Sequence, residues 1–312
     1  MKVKTSLALA LLALAAFGGW LWIKTTGAGS ENGQAAYAHT ESILSCGPRH
    51  AGSKGLMLAQ DYISGQLAKH GWVCIRHNIT RDTPVGEVTF VNLIARFQPE
   101  ELGSLDEINK LPTRGILGAH LDSKAIPGIP TFLGADDAAS ACALIIELAA
   151  RLSESHPELA RQLEIVFFDG EEAFGEQITP SDGLYGSRAY SHTLYERESK
   201  PQFGIILDMV GHKNLKIAVP ADTDAKLYAA LTSAAKKHGH EKHFGMANGN
   251  VIDDHLYLNK AGVPTIDIIG ANFSHSDWWH QEGDNLQLIS AKSLGISYDV
   301  TMTMLVELLS RE

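Results

Sequence analysis

Residues 163–172 read LEIVFFDGEE, and that stretch decides how the rest of the chain is read. An apolar run with two aromatics, closed by a turn signal, reads as a buried strand. Asp169-Gly170 is the turn, and two adjacent carboxylates, Glu171 and Glu172, follow at once. In an open α/β sheet, ligands bind in the crevice beyond the carboxyl ends of the strands. A carboxylate pair there can divide labour, one residue holding a metal and the other moving protons. Taken alone, such a pair would more often be a solvated acidic turn. The remaining chain reverses that balance.

Outward from this strand, apolar segments alternate with amphipathic ones. Trp72–Ile79 and Val88–Phe97 read as strands forming a hairpin at one sheet edge, and Arg114–Ala119 as a short strand ending in His120-Leu-Asp122. A Gly/Pro-rich loop, 126–134, closes on Asp136-Asp137 and opens a helix with Ala138, Cys142, Ile145, Leu148 and Leu152 on one face. Leu56, Ala59, Ile63 and Leu67 mark another helix. Further helices are expected at Ser187–Tyr195, Asp224–Lys237 and Ser290–Leu309, and strands at Phe203–Leu207 and Val263–Ile269. Strands alternating with helices predict a mainly parallel, twisted α/β sheet covered on both faces. Without a repeat or a second linker, residues 36–312 read as one domain.

The 312 residues carry a formal charge of −10 with no basic stripe, which argues against nucleic acid as a partner. Lys2 and Lys4 precede an apolar run, Leu7–Ile23, closed by Lys24. With Trp20 and Trp22 at an interfacial position, residues 1–35 read as a signal or uncleaved membrane anchor plus a linker over Thr26–Gln34. The bulk of the chain is then exported, periplasmic or extracellular, and tethered to a membrane. Export makes a Cys46–Cys74 disulfide possible, while Cys142 reads as a buried thiol.

Several sheet-like segments lead to metal-ligating or proton-transfer groups: His120, Asp137, Glu171/Glu172 and Asp208, with His280 in a late loop. Each alone is most often a cap or a surface residue. Their convergence on one edge suggests a divalent cation, and mixed nitrogen and oxygen donors suit zinc. His238, His240 and His243 among Lys236, Lys237 and Lys242 read instead as a solvated loop. His275 reads as a substrate contact or an exposed loop residue, and Trp278 as a loop anchor. No G-x-S-x-G nucleophile signature is present.

The set H-x-D, G-x-x-D, EE, a strand-end Asp and a late H-x-x-x-D resembles the zinc aminopeptidases of the M28 type. The wording of Pro48-Arg-His-Ala-Gly-Ser53, His120–Lys124, Phe167–Phe174 (FFDGEEAF), Leu184–Arg188, Asp253-Asp-His255 and Trp279-His280 is closer still to the animal-type glutaminyl cyclases. The resemblance spans about residues 45 to 310. It implies a zinc-aminopeptidase-like (phosphorylase/hydrolase-like) fold and one zinc held by Asp137, Glu172 and His280. It further implies Glu171 as proton shuttle, Asp208 and Asp253 as an acidic cluster around it, Trp279 as pocket lining, and backbone near Ile252 orienting the substrate amine. The implied reaction converts the N-terminal Gln of peptides or proteins to pyroglutamate.

Three positions depart from the animal pattern: Gln177 stands where those cyclases carry Trp, Asp267 where they carry His, and Ala119 where they carry a disulfide-forming Cys. The rival reading is an M28-type aminopeptidase with two zincs, in which His120 and Asp208 join the ligand set and Asp137 bridges. A silent receptor ectodomain on the same scaffold is disfavoured, because such domains lose ligands that are all present here.

Overall fold

The structure is a computed structural model describing residues 30–99, 103–271 and 273–311. In chain order its main elements are helices α1 (Glu31–Leu44) and α2 (Lys54–Lys69), strands β1 (Trp72–Thr83) and β2 (Gly86–Phe97), helix α3 (Leu105–Lys110), strand β3 (Gly115–His120), helix α4 (Ala141–Ser155), strand β4 (Leu163–Phe168), helix α5 (Tyr185–Tyr195), strands β5 (Phe203–Asp208) and β6 (Ile217–Val219), helix α6 (Ala225–Lys237), strand β7 (Phe244–Met246), helix α7 (His255–Lys260), strand β8 (Thr265–Ile269) and helix α8 (Ala291–Ser310).

Six strands form one sheet in the order β1-β2-β4-β3-β5-β8. The β1/β2 and β2/β4 pairs are antiparallel, whereas β4/β3, β3/β5 and β5/β8 are parallel. The sheet is therefore mainly parallel with an antiparallel hairpin at one edge, as expected. Side-chain alternation sends Leu117, Ala119, Ile165, Phe167, Ile205 and Leu207 into the larger core, with residues from α1, α2, α4, α6 and α8. Ile116, Val166, Phe168 and Ile206 point the other way, against Tyr190 and Leu194 of α5 and Leu258 of α7. Both faces are covered, which is why β4 is buried along its whole length. Its one charged residue, Glu164, is neutralised by Arg96 at 3.4 Å and Arg197 at 2.8 Å and accepts a bond from the Tyr190 hydroxyl.

The expected linker over Thr26–Gln34 is corrected at its end, since Glu31–Gln34 is already helical. Ser30 caps α1 by accepting a hydrogen bond from the Gly33 N–H at 3.2 Å. Gly33 reads as a linker residue by composition, yet a Cβ there would sit 2.1 Å from the Ala291 carbonyl oxygen. Its absence lets α1 lie directly on α8. The apolar run Leu7–Ile23 lies outside the described residues. Among those described, no helix is long and apolar enough to cross a membrane. Cys46 and Cys74 are both free, so the possible disulfide is not formed; Cys142 is a buried thiol whose Sγ is 3.0 Å from the His120 carbonyl oxygen.

Candidate active site

The carboxyl ends of β3, β4 and β5 lie side by side, and each leads directly into an acidic or imidazole side chain. β3 ends at His120 and β5 at Asp208, while β4 runs through the Asp169-Gly170 turn to Glu171 and Glu172. That turn is built by a residue the sequence places elsewhere. Asp122, just past β3, accepts the N–H groups of Glu171 and Glu172, each at 3.2 Å. One buried carboxylate thereby fixes the backbone of both.

Asp137 comes from the loop before α4. There Gly134 has φ 58°, and a Cβ would lie 2.0 Å from the Asp137 carbonyl oxygen. Asp284 accepts the N–H groups of Asp136 at 2.7 Å and Asp137 at 3.3 Å. Arg49, fully buried, donates from Nε to the Leu121 carbonyl, from Nη1 to that of Leu133 and from Nη2 to that of Gly134, at 3.1, 2.6 and 2.9 Å. It ties the β3 exit to the Asp137 loop. Arg49→Ala leaves three acceptors without their donor, at about 1–3 kcal/mol for each that water does not reach. A loss of several kcal/mol in urea unfolding is expected, together with weaker metal retention.

Around Asp137 two groups of donors meet. His280 Nε2 lies 3.5 Å from Asp137 Oδ2 and 3.4 Å from Glu172 Oε1. His120 Nε2 lies 3.0 Å from Asp137 Oδ1 and 3.4 Å from Asp208 Oδ1. In each group, one potential ligand atom per residue falls within 4.8 Å of the others. Glu172 Oε1 is buried without a hydrogen-bond partner, while Lys124 Nζ stands 3.4 Å from Oε2. Two carboxylates, one of them with an oxygen that no hydrogen bond satisfies, and one imidazole make a donor set that fits a divalent cation.

The electrostatics follow from burial and crowding. Burial pushes Glu171 well above the usual carboxylate range; His120 opposes this, and Glu172, Asp254 and Asp122 add to it. Asp208 is pushed up to about 7 by burial, with Asp137 and Asp267 adding and the neighbouring His120 imidazole opposing. Burial would raise Asp137 too, but the bonds to His120 and His280 outweigh it and hold that carboxyl well below its ordinary value. Burial would lower His280, but the carboxylates of Asp137 and Glu172 beside it overcome this and raise the imidazole to about 9.

These groups open into a cleft of about 1180 Å³ that reaches Asp253, Ile252 and Trp279. The Trp279 ring stacks on His280 at 3.8 Å between centroids, and its Nε1 donates to Asp137 Oδ2 at 3.0 Å. It thus braces two of the candidate ligands as well as lining the cleft. Ile252 is exposed on the cleft wall. Gln177, at the departure from the animal pattern, also lines the cleft, as does the exposed His275. Trp278 is partly buried against the core and 5.4 Å from the His212 ring, in keeping with a loop anchor.

His238, His240 and His243 stay apart from the candidate metal groups among the described residues. His238 bonds Thr303 at 2.7 Å and His243 the Leu215 carbonyl at 3.0 Å. Asp122, Asp284 and Arg49 lie inside the motif stretches but carry no chemistry of their own at the site. Their work is to hold backbone across long chain separations, for which a single sequence carries no signal.

The profile of peptidase family M28 matches residues 95–305. The glutaminyl-peptide cyclotransferase of Bothrops jararaca is 27% identical over 274 residues, covering 76% of this chain and 71% of that protein. Among solved structures, the glutaminyl cyclase of Porphyromonas gingivalis superposes with a TM-score of 0.78 at 26% identity, over 89% of this chain and 99% of the other. A Zn-dependent exopeptidase from Parabacteroides distasonis superposes with a TM-score of 0.75 at 25% identity, over 89% and 98%.

Proposed function

The chain belongs to peptidase family M28, and we propose that within it this protein is a zinc-dependent glutaminyl-peptide cyclotransferase acting on peptide and protein N-termini. The observation that carries the reading is the placement of Glu171. It shares a turn with Glu172 of the Asp137–Glu172–His280 set, faces the cleft, and is crowded by the carboxyls of Glu172, Asp254 and Asp253. The similarity to curated and solved glutaminyl cyclases supports it.

Asp137, Glu172 and His280 would hold the zinc, which when bound would polarise the glutamine side-chain carbonyl and stabilise charge on its oxygen. The substrate α-amine attacks its own side-chain carbonyl carbon, forming the ring C–N bond and expelling ammonia. Glu171 takes the proton from that amine and gives it to the leaving nitrogen, so it must act as base and then acid. Burial beside other carboxylates suits it to both. Trp279 walls the substrate side chain, and backbone near Ile252 orients the amine. Because the nucleophile is tethered, orientation is most of what the protein must add.

Residues 36–312 serve as the catalytic domain, with the helix from Glu31 packed onto it. Leu7–Ile23, between lysines, tethers it outside the cytoplasm. The test is ammonia release from a Gln-initiated peptide and from its N-acetylated form. Release from the first alone supports cyclisation, and release from both would make the protein an amidase.

One observation favours a second reading. His120, Asp137 and Asp208 make a further donor group sharing Asp137, as a di-zinc aminopeptidase requires. Zinc analysis decides here, with one equivalent per chain expected and two equivalents favouring hydrolysis.

A further inference from the structure

Asp253 lines the cleft, but the two groups closest behind it in the fold do not. His255 is the first residue of α7, two positions after Asp253, and the Asp253 carbonyl accepts the Leu256 N–H at 3.0 Å, so one turn carries both. Asp267 sits in β8 opposite Ile206 of β5, two residues before Asp208, on the sheet face that carries Ile206. His255 and Asp267 are 2% and 0% exposed.

One nitrogen or oxygen from each of Asp253, His255 and Asp267 lies within 4.8 Å of the other two. His255 Nδ1 is 3.3 Å from Asp267 Oδ2. Yet both nitrogens of His255, both oxygens of Asp267 and Oδ2 of Asp253 are buried without a hydrogen-bond partner. Buried polar atoms are nearly always paired, and leaving several unpaired costs more than ordering them. An imidazole can serve two carboxylates, since its ring nitrogens point in different directions; here His255 Nδ1 meets Asp267, while Asp253 stands beyond hydrogen-bond range but within 4.8 Å. Asp253 needs such a tether. Burial and the neighbouring carboxyls of Asp267, Asp254, Asp208 and Glu171 push Asp253 well above the usual carboxylate range, and none of those neighbours offers it a donor of opposite charge.

We propose that His255, anchored by Asp267, is a positioning residue that hydrogen-bonds the buried oxygen of Asp253 and fixes the direction in which that carboxyl faces the cleft. The inference rests on the cyclase reading of the same site. Neither residue touches substrate; both act through Asp253. The pairing also explains how Asp can stand at 267, where the animal-type pattern has His. A carboxylate there anchors the imidazole of the DDH motif directly.

The test uses the full zinc-loaded chain and the near-isosteric variants Asp267→Asn and His255→Gln. Expected is a fall in kcat for ammonia release of up to about 100-fold, the cost of misplacing a reacting group by an ångström. KM should stay within about twofold of wild type, as truncating a group that does not bind substrate leaves ground-state binding alone. Zinc should stay at one equivalent, and both variants should remain folded at the assay temperature, because Asn and Gln keep the shape and the hydrogen-bonding capacity of the groups they replace. Proton NMR supplies a readout free of activity: a slowly exchanging ring N–H of His255, lost in His255→Gln and shifted in Asp267→Asn. An unchanged kcat, or a loss that only follows the unfolded fraction, would overturn the proposal. So would a second metal equivalent that disappears in both variants, which would make the trio a cation site. Should the wild-type chain release Leu instead of ammonia, the cyclase reading falls, and the same variants assayed on the Leu peptide still decide the role of the pair.

Discussion

Glu171→Gln lowers the rate of pyroglutamate formation by about 10²–10⁴-fold, the range a positioned general acid–base group contributes, while zinc stays bound. The substitution keeps the shape of the side chain and its place on the turn, because Asp122 holds that turn through backbone N–H groups and not through the Glu171 carboxyl. What it removes is the ability to accept a proton. His120 Nδ1 lies 3.9 Å from Glu171 Oε2, but His120 is buried behind the cleft and does not line it, so it does not reach the substrate amine in place of Glu171. KM should change little. A variant with near-normal kcat would move the shuttle to Asp208 or Asp253. Rapid-mix ammonia detection alongside zinc analysis separates these outcomes.

His280→Ala removes the single nitrogen donor from the set it forms with Asp137 and Glu172. Loss of groups that merely orient a ligand weakens metal affinity by about 10–100-fold, so loss of the ligand itself should exceed about 100-fold. The variant should emerge from dialysis without zinc and inactive. It also strips Trp279 of its stacking partner and leaves Asp137 and Glu172 facing each other without the imidazole between them. His120→Ala is the matched control. If one zinc is bound, that variant keeps it; if the di-zinc reading holds, it drops from two equivalents to one.

Much of this architecture is legible in the residues, for identifiable physical reasons. The strand at 163–168 declares itself because both its faces are buried and its sequence is accordingly apolar at every position but Glu164. The helices with a clear apolar stripe, such as the one carrying Cys142 and Ile145, declare themselves by their period. Helix α1 escapes because its first turn, Glu-Asn-Gly-Gln, has the composition of a linker. Its glycine answers to close packing against Ala291 and Gly295 far along the chain. Helix α3 escapes because it is only six residues long, although Ser104 and Glu107 form a capping box that marks its start. The short pair β6–β7 hides in stretches with no strand-like run.

At the site, the chemistry-bearing groups could be read because strand ends and the EE pair announce them. The supports could not. Asp284 reaches the backbone of Asp136 and Asp137 across nearly 150 residues, and no local pattern encodes such a closure. Trp279 was legible as pocket lining, whereas its bond to Asp137 depends on how the late loop folds back.

The most direct measurement is mass spectrometry of two peptides, one beginning with Gln and one with Leu, incubated together with the zinc-loaded chain. The account predicts that the Gln peptide loses the mass of one ammonia, faster than its spontaneous cyclisation, while the Leu peptide stays intact. Release of free Leu, with the Gln peptide changing no faster than in buffer, would contradict it.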